Sequence, residues 1–449
     1  MSARALAPAA SPAADAPSRV ARDQARAGLY VHVPFCAVRC HYCDFATGAL
    51  SAAMVERWVA ALERECARRA PEVADVTFHS VFFGGGTPST LSARHFRRVR
   101  DALATQFALA PGAEITLEAN PESVRAPLLE AWAAAGVNRL SMGVQSFVPA
   151  ELARLGRIHD AERPRAAFAL ARAHGFANLS LDLMFAFPDH TLETWSHTLE
   201  RALALEPAHL SAYCYIPEPG TPMGDAVAAG ELALPAPGAQ ADAYAMLGAR
   251  LAAHGYACYE TSNFCRPERE ARHNLVYWLR RPYLGLGPSA ASFIADRRWT
   301  NHRGTSAWAA ALEQGRDPAA ERETPSAEAA DEERMMLALR LGSGLEDRDH
   351  DAPAWRALLA RYGIALASAV GAGRLERHAH GWRIPAAHRF LADDTIAWIA
   401  ARGARVSSAN AAADTATAVD TSFAPLIPSL ACPSPHSQAT PAPRTSATG

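Results

Sequence analysis

Three cysteines fall on one short stretch, Cys36-Ala-Val-Arg-Cys40-His-Tyr-Cys43, with the spacing C-x3-C-x2-C. Thiolates are soft ligands, and three on one tight loop can each take a different iron of a four-iron cube. Such a cube wants four ligands. Position 45 is Phe and no fourth cysteine stands nearby, so one iron would stay open for a small molecule. Zinc is an alternative: a structural zinc site needs four ligands, and His32 or His41 could supply the missing one. Three inert core thiols are the blandest reading. The other five cysteines, at 66, 214, 258, 265 and 432, are scattered. That is no disulfide framework, and it fits a reducing compartment.

Further residues with chemical potential sit in apolar surroundings. Phe83-Gly84-Gly85-Gly86-Thr87-Pro88 would let backbone groups approach a ligand without Cβ obstruction, although a tight turn explains the glycines as well. Asp182 lies inside Leu179-Ser-Leu-Asp-Leu-Met-Phe, where a charge is costly unless it is paired or meets a ligand. Glu118, Gln145 and Arg157 each close or follow an apolar stretch; a structural polar network is the alternative for these three. His273 stands in Arg272-His273-Asn274-Leu275-Val276-Tyr277-Trp278. A histidine among aromatics can ligate a heme iron while the rings pack on the porphyrin, and it can equally be packed in a core.

The elements that must position these residues alternate. Strand-like segments at 28–35, 78–83, 114–118, 139–145, 179–187 and 209–215 are each followed by a helix-like segment, such as the one in which Val55, Trp58, Val59, Leu62 and Cys66 recur at helical spacing. Six β-then-α units imply an α/β fold with a parallel sheet and right-handed crossovers, forming part of an eight-unit, TIM-like barrel over 28–255. Most of the candidates fall at or just past strand C-termini, where the loops of such barrels converge. Residues 256–330 form an aromatic- and Gly/Pro-rich extension that ends in a polar linker at 311–330. Residues 331–403 read as a small helical unit with a hairpin near 375–384. The Ala/Pro-rich segments 1–27 and 404–449 cannot bury enough apolar surface to offset ordering entropy and are expected to be disordered.

The formal net charge is −2, from 44 Lys+Arg against 46 Asp+Glu, which argues against a nucleic-acid partner held by bulk charge. No apolar run is long enough for a membrane span and the N-terminus lacks an apolar signal core. A cytoplasmic protein is expected.

The cysteine spacing resembles the signature of the radical S-adenosylmethionine (SAM) superfamily. Over residues 28–400 the chain resembles that superfamily's oxygen-independent coproporphyrinogen III oxidase-like group. The resemblance implies a [4Fe–4S] cluster on Cys36, Cys40 and Cys43, with SAM chelating the open iron. It assigns Tyr30, Gly85, Gly86, Thr87, Glu118, Gln145, Arg157 and Asp182 to the SAM pocket and leaves a second SAM undecided. It implies a radical SAM-type partial (β/α)6 barrel with a small C-terminal winged-helix-like domain. His273, Asn274, Tyr277 and Trp278 match in full an HNxxYW motif of the group's heme-chaperone branch, and Cys43-Asp44-Phe45 reads as in that branch, whereas the oxidase carries a further cysteine where Phe45 stands. The resemblance therefore implies a heme chaperone with His273 as candidate heme ligand. Its cargo is heme and its partners are heme-accepting apo-proteins such as respiratory enzymes. An electron donor is also implied if SAM is cleaved. The resemblance allows a homodimer, and a position at the membrane periphery during delivery. The alternative it leaves is coproporphyrinogen III dehydrogenase, which decarboxylates two propionates to give protoporphyrinogen IX.

Overall fold

The computed structural model describes residues 26–412. Most of the two segments expected to be disordered, with Cys432, lies outside the described residues. The last helix, Ala392–Ala412, runs beyond 403, where composition predicts order to stop; alanine is the best helix former, and this end of the helix is alanine-rich.

Strands β1 (Gly28–Val33), β2 (Thr77–Gly85), β3 (Ala108–Ala119), β4 (Arg139–Gln145), β5 (Asn178–Phe185) and β6 (His209–Cys214) alternate with helices α1 (Ala52–Arg69), α2 (Ala93–Gln106), α3 (Ala126–Ala134), α4 (Arg163–Ala173), α5 (Leu192–Leu203) and α6 (Pro237–Ala253). Helix α1 shows why the pattern works. Ser51 caps it by accepting from the Met54 amide, and Val55, Trp58, Val59, Leu62 and Cys66 form its buried stripe, the 3.6-residue period of a half-covered helix. Neighbouring strands from β1 to β6 pair in parallel. This is an α/β fold: six β/α units curved round a shared interior.

Alternation along each strand sends apolar residues outward under the helices, where Leu29, Val31, Val81, Phe83, Leu117, Leu140, Met142, Leu181 and Leu183 join one core. The inner face is polar. His32, Ser80, Glu114, Thr116, Arg139, Ser141, Ser180, His209 and Ser211 are all buried there. The packed interior of a full TIM barrel is mostly aliphatic; here the inside is furnished for a polar guest.

The extension continues the sheet. Strands β7 (Ala257–Glu260) and β8 (Asn263–Cys265) add antiparallel beyond β6. After the short helix α7 (Arg272–Trp278), strand β9 (Tyr283–Leu286) pairs in parallel with the far side of β1, and β10 (Ala291–Ile294), β11 (Arg297–Asn301) and β12 (Ala319–Glu323) follow antiparallel. The result is a twelve-stranded mixed sheet, with β12 and β7 as its edges. The expected linker at 311–330 is thus a correction. It holds the end of a helix (Thr305–Glu313), edge strand β12 and the start of another helix (Ala327–Ala338). Its charges read as a linker because an edge strand keeps charged side chains in water; Glu323 of β12 accepts from Arg298 at 2.6 Å.

Beyond β12, three helices (Ala327–Ala338, Ala352–Gly371, Ala392–Ala412) and a three-stranded ladder, two of whose strands are the hairpin at Glu376–His378 and Gly381–Arg383, form a unit of winged-helix character. The unit has its own core around Met335, Leu358, Leu366 and Ile399. It is tied to the barrel edge by Gly342 N donating to Tyr259 O and by the Glu260–Leu341 bridge. No helix among the described residues is long and apolar enough to cross a membrane.

Candidate functional site

The cysteine loop starts where β1 ends. Phe35–Cys36 pairs in parallel with Gly48–Ala49, Gly48 N donates to Pro34 O at 2.7 Å, and His32 Nε2 lies 2.9 Å from Ala46 O. The loop therefore closes on its own stem. The glycine turn at the end of β2 clamps that stem: Gly86 N donates to Val33 O and Thr87 N to Phe35 O, at 2.8 and 2.7 Å. A Cβ on Gly86 would come within 2.7 Å of Phe35 O, and one on Gly85 within 2.6 Å of the His32 ring; Gly85 also has φ +108°. Both glycines are thus demanded by close packing against the segment that leads into Cys36. Thr87 Oγ1 donates to Cys36 Sγ at 3.5 Å. On the far side, His41 Nδ1 sits 3.0 Å from Arg154 O, and Tyr42 packs against the small core of Leu155, Met184, Phe187 and Tyr215.

The three thiols are free and half-buried, and all face one cavity of about 680 Å³. Burial pushes the Cys36 thiol up and the Cys43 thiol up to about 12, so a metal centre must expel protons as it binds. Among the described residues no three His, Cys, Asp or Glu side chains are gathered for a lone metal ion. His32 and His41 are engaged by carbonyls, as above. A mononuclear zinc site therefore fits poorly. A cube, whose thiolates go to separate irons, suits three thiols spread along one loop.

The residues singled out in the sequence converge on that cavity: Tyr30, Gly85, Gly86, Thr87, Glu118, Gln145, Arg157, Asp182 and His273 all line it. Glu118, at the end of β3, accepts the Gly85 amide; burial first, and then Asp182, raise its carboxyl to about 8. Asp182 sits opposite Ser211 and Gly143 in the ladder and accepts from Ser141 Oγ at 2.9 Å and Ser180 Oγ at 3.5 Å, with Ser211 as a third hydroxyl donor. Its charge in an apolar strand is met by three serines. Gln145 has φ +67°, and the ladder slips by one residue between Gly143 and Gln145. This bulge turns the Gln145 side chain back over the cavity. Arg157 Nη2 donates to Asn120 Oδ1 at 2.7 Å and Gly143 O at 2.6 Å, while Nη1 lies 3.5 Å from Cys40 Sγ. Tyr30 is deep, its hydroxyl 3.1 Å from His32 Nδ1.

His273, on α7, forms part of the cavity floor and is only 1% exposed. Nδ1 lies 2.9 Å from Ser80 Oγ, Nε2 lies 2.9 Å from Tyr277 Oη, and the backbone N donates to Glu114 Oε1 at 3.2 Å. The ring stacks on Phe82 with centroids 5.2 Å apart. Burial, and next Arg139, push its pKa down to about 3, so the imidazole is neutral, the form that binds metals. Both nitrogens are already occupied by hydroxyls.

Sequence reasoning passed over Asn120, which anchors Arg157, and the serines around Asp182; small polar residues in strands carry no distinctive signal. It also passed over Arg139, a buried cation on the cavity wall. A charge opening the apolar run Arg139-Leu-Ser-Met was the available signal.

A profile of the radical SAM superfamily matches residues 30–202. The chain is 38% identical over 376 residues to the heme chaperone HemW of Mycobacterium tuberculosis, covering 82% of this chain and 93% of that one. It is 34% identical over 322 residues to the heme chaperone HemW of Bacillus subtilis, covering 71% and 84%. Among solved structures, the radical SAM enzyme coproporphyrinogen III oxidase (HemN) from Escherichia coli matches with a TM-score of 0.71. That match covers 87% of this chain and 94% of that one at 24% identity, which shows a shared fold.

Proposed function

The chain belongs to the HemW family of heme chaperones within the radical SAM superfamily, and from that premise we propose that it binds a [4Fe–4S] cluster, SAM and heme and delivers heme to apo-proteins such as respiratory enzymes. The observation that carries the reading is the single cavity onto which the three free thiols, the polar strand ends and His273 all open. On this reading Cys36, Cys40 and Cys43 hold the cluster. Tyr30, Gly85, Gly86, Thr87, Glu118, Gln145, Arg157 and Asp182 hold SAM. When bound, the cluster supplies an electron able to split the SAM sulfonium, and a protein electron donor is then a partner.

The chain's own residues contribute positioning and charge. Arg157 sets a cation beside Cys40 Sγ and so holds one side of the cysteine loop in place. Glu118, largely protonated at neutral pH, can donate a hydrogen bond to a ligand or release its proton as the ligand's charge changes. Asp182, whose carboxyl burial pushes up while serine hydroxyls oppose the shift, offers an acceptor to an ammonium or sulfonium group. His273 is the candidate heme ligand: Ser80 at Nδ1 can fix the tautomer that leaves the Nε2 lone pair free, and an iron reaching Nε2 displaces Tyr277.

The test is a heme titration of the anaerobically reconstituted protein, wild type beside His273→Ala. Saturable, stoichiometric binding that weakens in the variant is expected. Equal binding by the variant removes His273 from the reading. No specific binding by either overturns the chaperone reading, and a decarboxylation assay on coproporphyrinogen III with SAM and a reductant then tests the oxidase alternative.

A further inference from the structure

Arg139 opens β4 with its side chain turned into the barrel. It is 2% exposed and lines the same cavity as the cysteine loop, well below it. Among the described residues no hydrogen bond or ion pair holds its guanidinium, and Nε has no partner at all. A buried cation left so is costly, by several kcal/mol in general terms.

The acids nearby do not discharge it. Asp182 attracts Arg139 only at longer range, and its oxygens are taken by Ser141, Ser180 and Ser211. Glu118 accepts the Gly85 amide and, at about 8, is mostly protonated near neutrality. The other titratable groups that sense Arg139 are His209 and His273, both kept neutral by burial, the hydroxyl of Tyr259, and the Cys265 thiol, which burial pushes up. Two more polar atoms beside this chamber lack partners: Thr116 Oγ1, whose residue pairs with Arg139 in the ladder, and Asn263 Oδ1, whose residue pairs with Ser211.

We propose that Arg139 is the anchor for a carboxylate of a bound small molecule, which reaches past the cluster loop into the barrel interior and places that carboxylate against the guanidinium. A planar fork of donors matches a carboxylate in two-point contact. A phosphate monoester, with more charge to neutralise, would need further cations than this chamber holds. Two molecules tied to this protein's proposed chemistry carry the group: heme, through its propionates, and a second SAM, through its methionine end, the first SAM having its own at the cluster.

The experiment compares wild type, Arg139→Gln and Arg139→Lys, each with its cluster reconstituted. Affinities are measured for heme, for heme dimethyl ester and for SAM, and melting temperature is measured with no ligand added. Arg139→Gln is expected to weaken one carboxylate ligand at least about tenfold, the loss of a charge-assisted contact, and Arg139→Lys to weaken it less. The unliganded variant melts no lower than wild type, since an uncompensated buried charge has gone. If heme is the weakened ligand and its dimethyl ester binds wild type and variant alike, the carboxylate is a propionate. If SAM binds in two steps and the variant loses only the second, it is the methionine carboxylate of a second SAM. Unchanged affinity for both overturns the proposal. A fall in melting temperature with unchanged affinities does so too, and makes Arg139 a structural partner of Glu118 and Asp182. Should Arg139→Gln not fold, Arg139→Lys decides alone by the same affinities. The SAM arm does not need heme to bind, so failure of the chaperone reading leaves this test standing.

Discussion

Arg157 lies 3.5 Å from the sulfur of Cys40, and the two residues belong to the segments that follow β1 and β4. The other guanidinium nitrogen is anchored to Asn120 and to the Gly143 carbonyl. The cation is therefore held at the cysteine loop by the strand ends beneath it. Replacing Arg157 with Met keeps the stem's bulk and removes these bonds, each worth about 1.5–3 kcal/mol when a charge is involved. The variant is expected to lose its cluster faster under a chelator, several-fold by iron release followed in absorbance, with a lower melting temperature. An unchanged release rate would mean that Arg157 does not steady the loop.

Cysteine replacements should divide sharply. Cys36→Ala, Cys40→Ala and Cys43→Ala should each abolish nearly all bound iron and acid-labile sulfide after reconstitution. Cys214→Ala, at a half-buried thiol on the same cavity, should leave both near wild type. Iron retained in all three loop variants would sink the cluster assignment at its root.

Glu118 makes stability depend on pH with a definite sign. Its carboxyl rises from the ordinary value near 4.5 to about 8 in the folded chain. The folded state thus holds the proton more tightly than the unfolded state. The group's contribution to stability is complete below about 4.5 and is lost as pH climbs through 8. Glu118→Gln, always neutral, should gain in melting temperature relative to wild type between pH 6 and pH 9. A difference that is flat across that range would show that Glu118 is ionised throughout.

How far the sequence discloses all this differs by residue. Asp182 was legible as a charge amid leucines that something must meet, and the structure meets it with three serine hydroxyls. The six parallel strands were legible from their apolar runs. The glycines of the turn were legible as necessary but not for their reason: the atoms that forbid a Cβ belong to His32 and Phe35, a contact that only folding creates. The pairing of Tyr283–Leu286 with β1 was out of reach for the same cause, since a parallel partner so distant in sequence leaves no local pattern. Arg139 was readable in principle, but at the first position of a strand a charge passes for a solvent-facing flank.

Tyr277 should act as a placeholder on His273. Its hydroxyl lies 2.9 Å from Nε2, the nitrogen that a heme iron would take if Ser80 holds Nδ1. Tyr277→Phe removes the competitor and keeps the ring, so heme should bind at least as tightly as to wild type, whereas His273→Ala binds less. Matching losses in both variants, read from the heme absorbance titration, would instead make the pair a structural plug in the barrel floor.

The central claim is delivery. Heme-loaded protein should be mixed with a heme-free respiratory apo-cytochrome, and the acceptor's own absorbance bands followed as the donor's fade. The account predicts that heme passes to the acceptor and that the emptied protein can be loaded again. Heme that binds but stays on the chain, or an acceptor filled no better than by free heme at the same concentration, would contradict it.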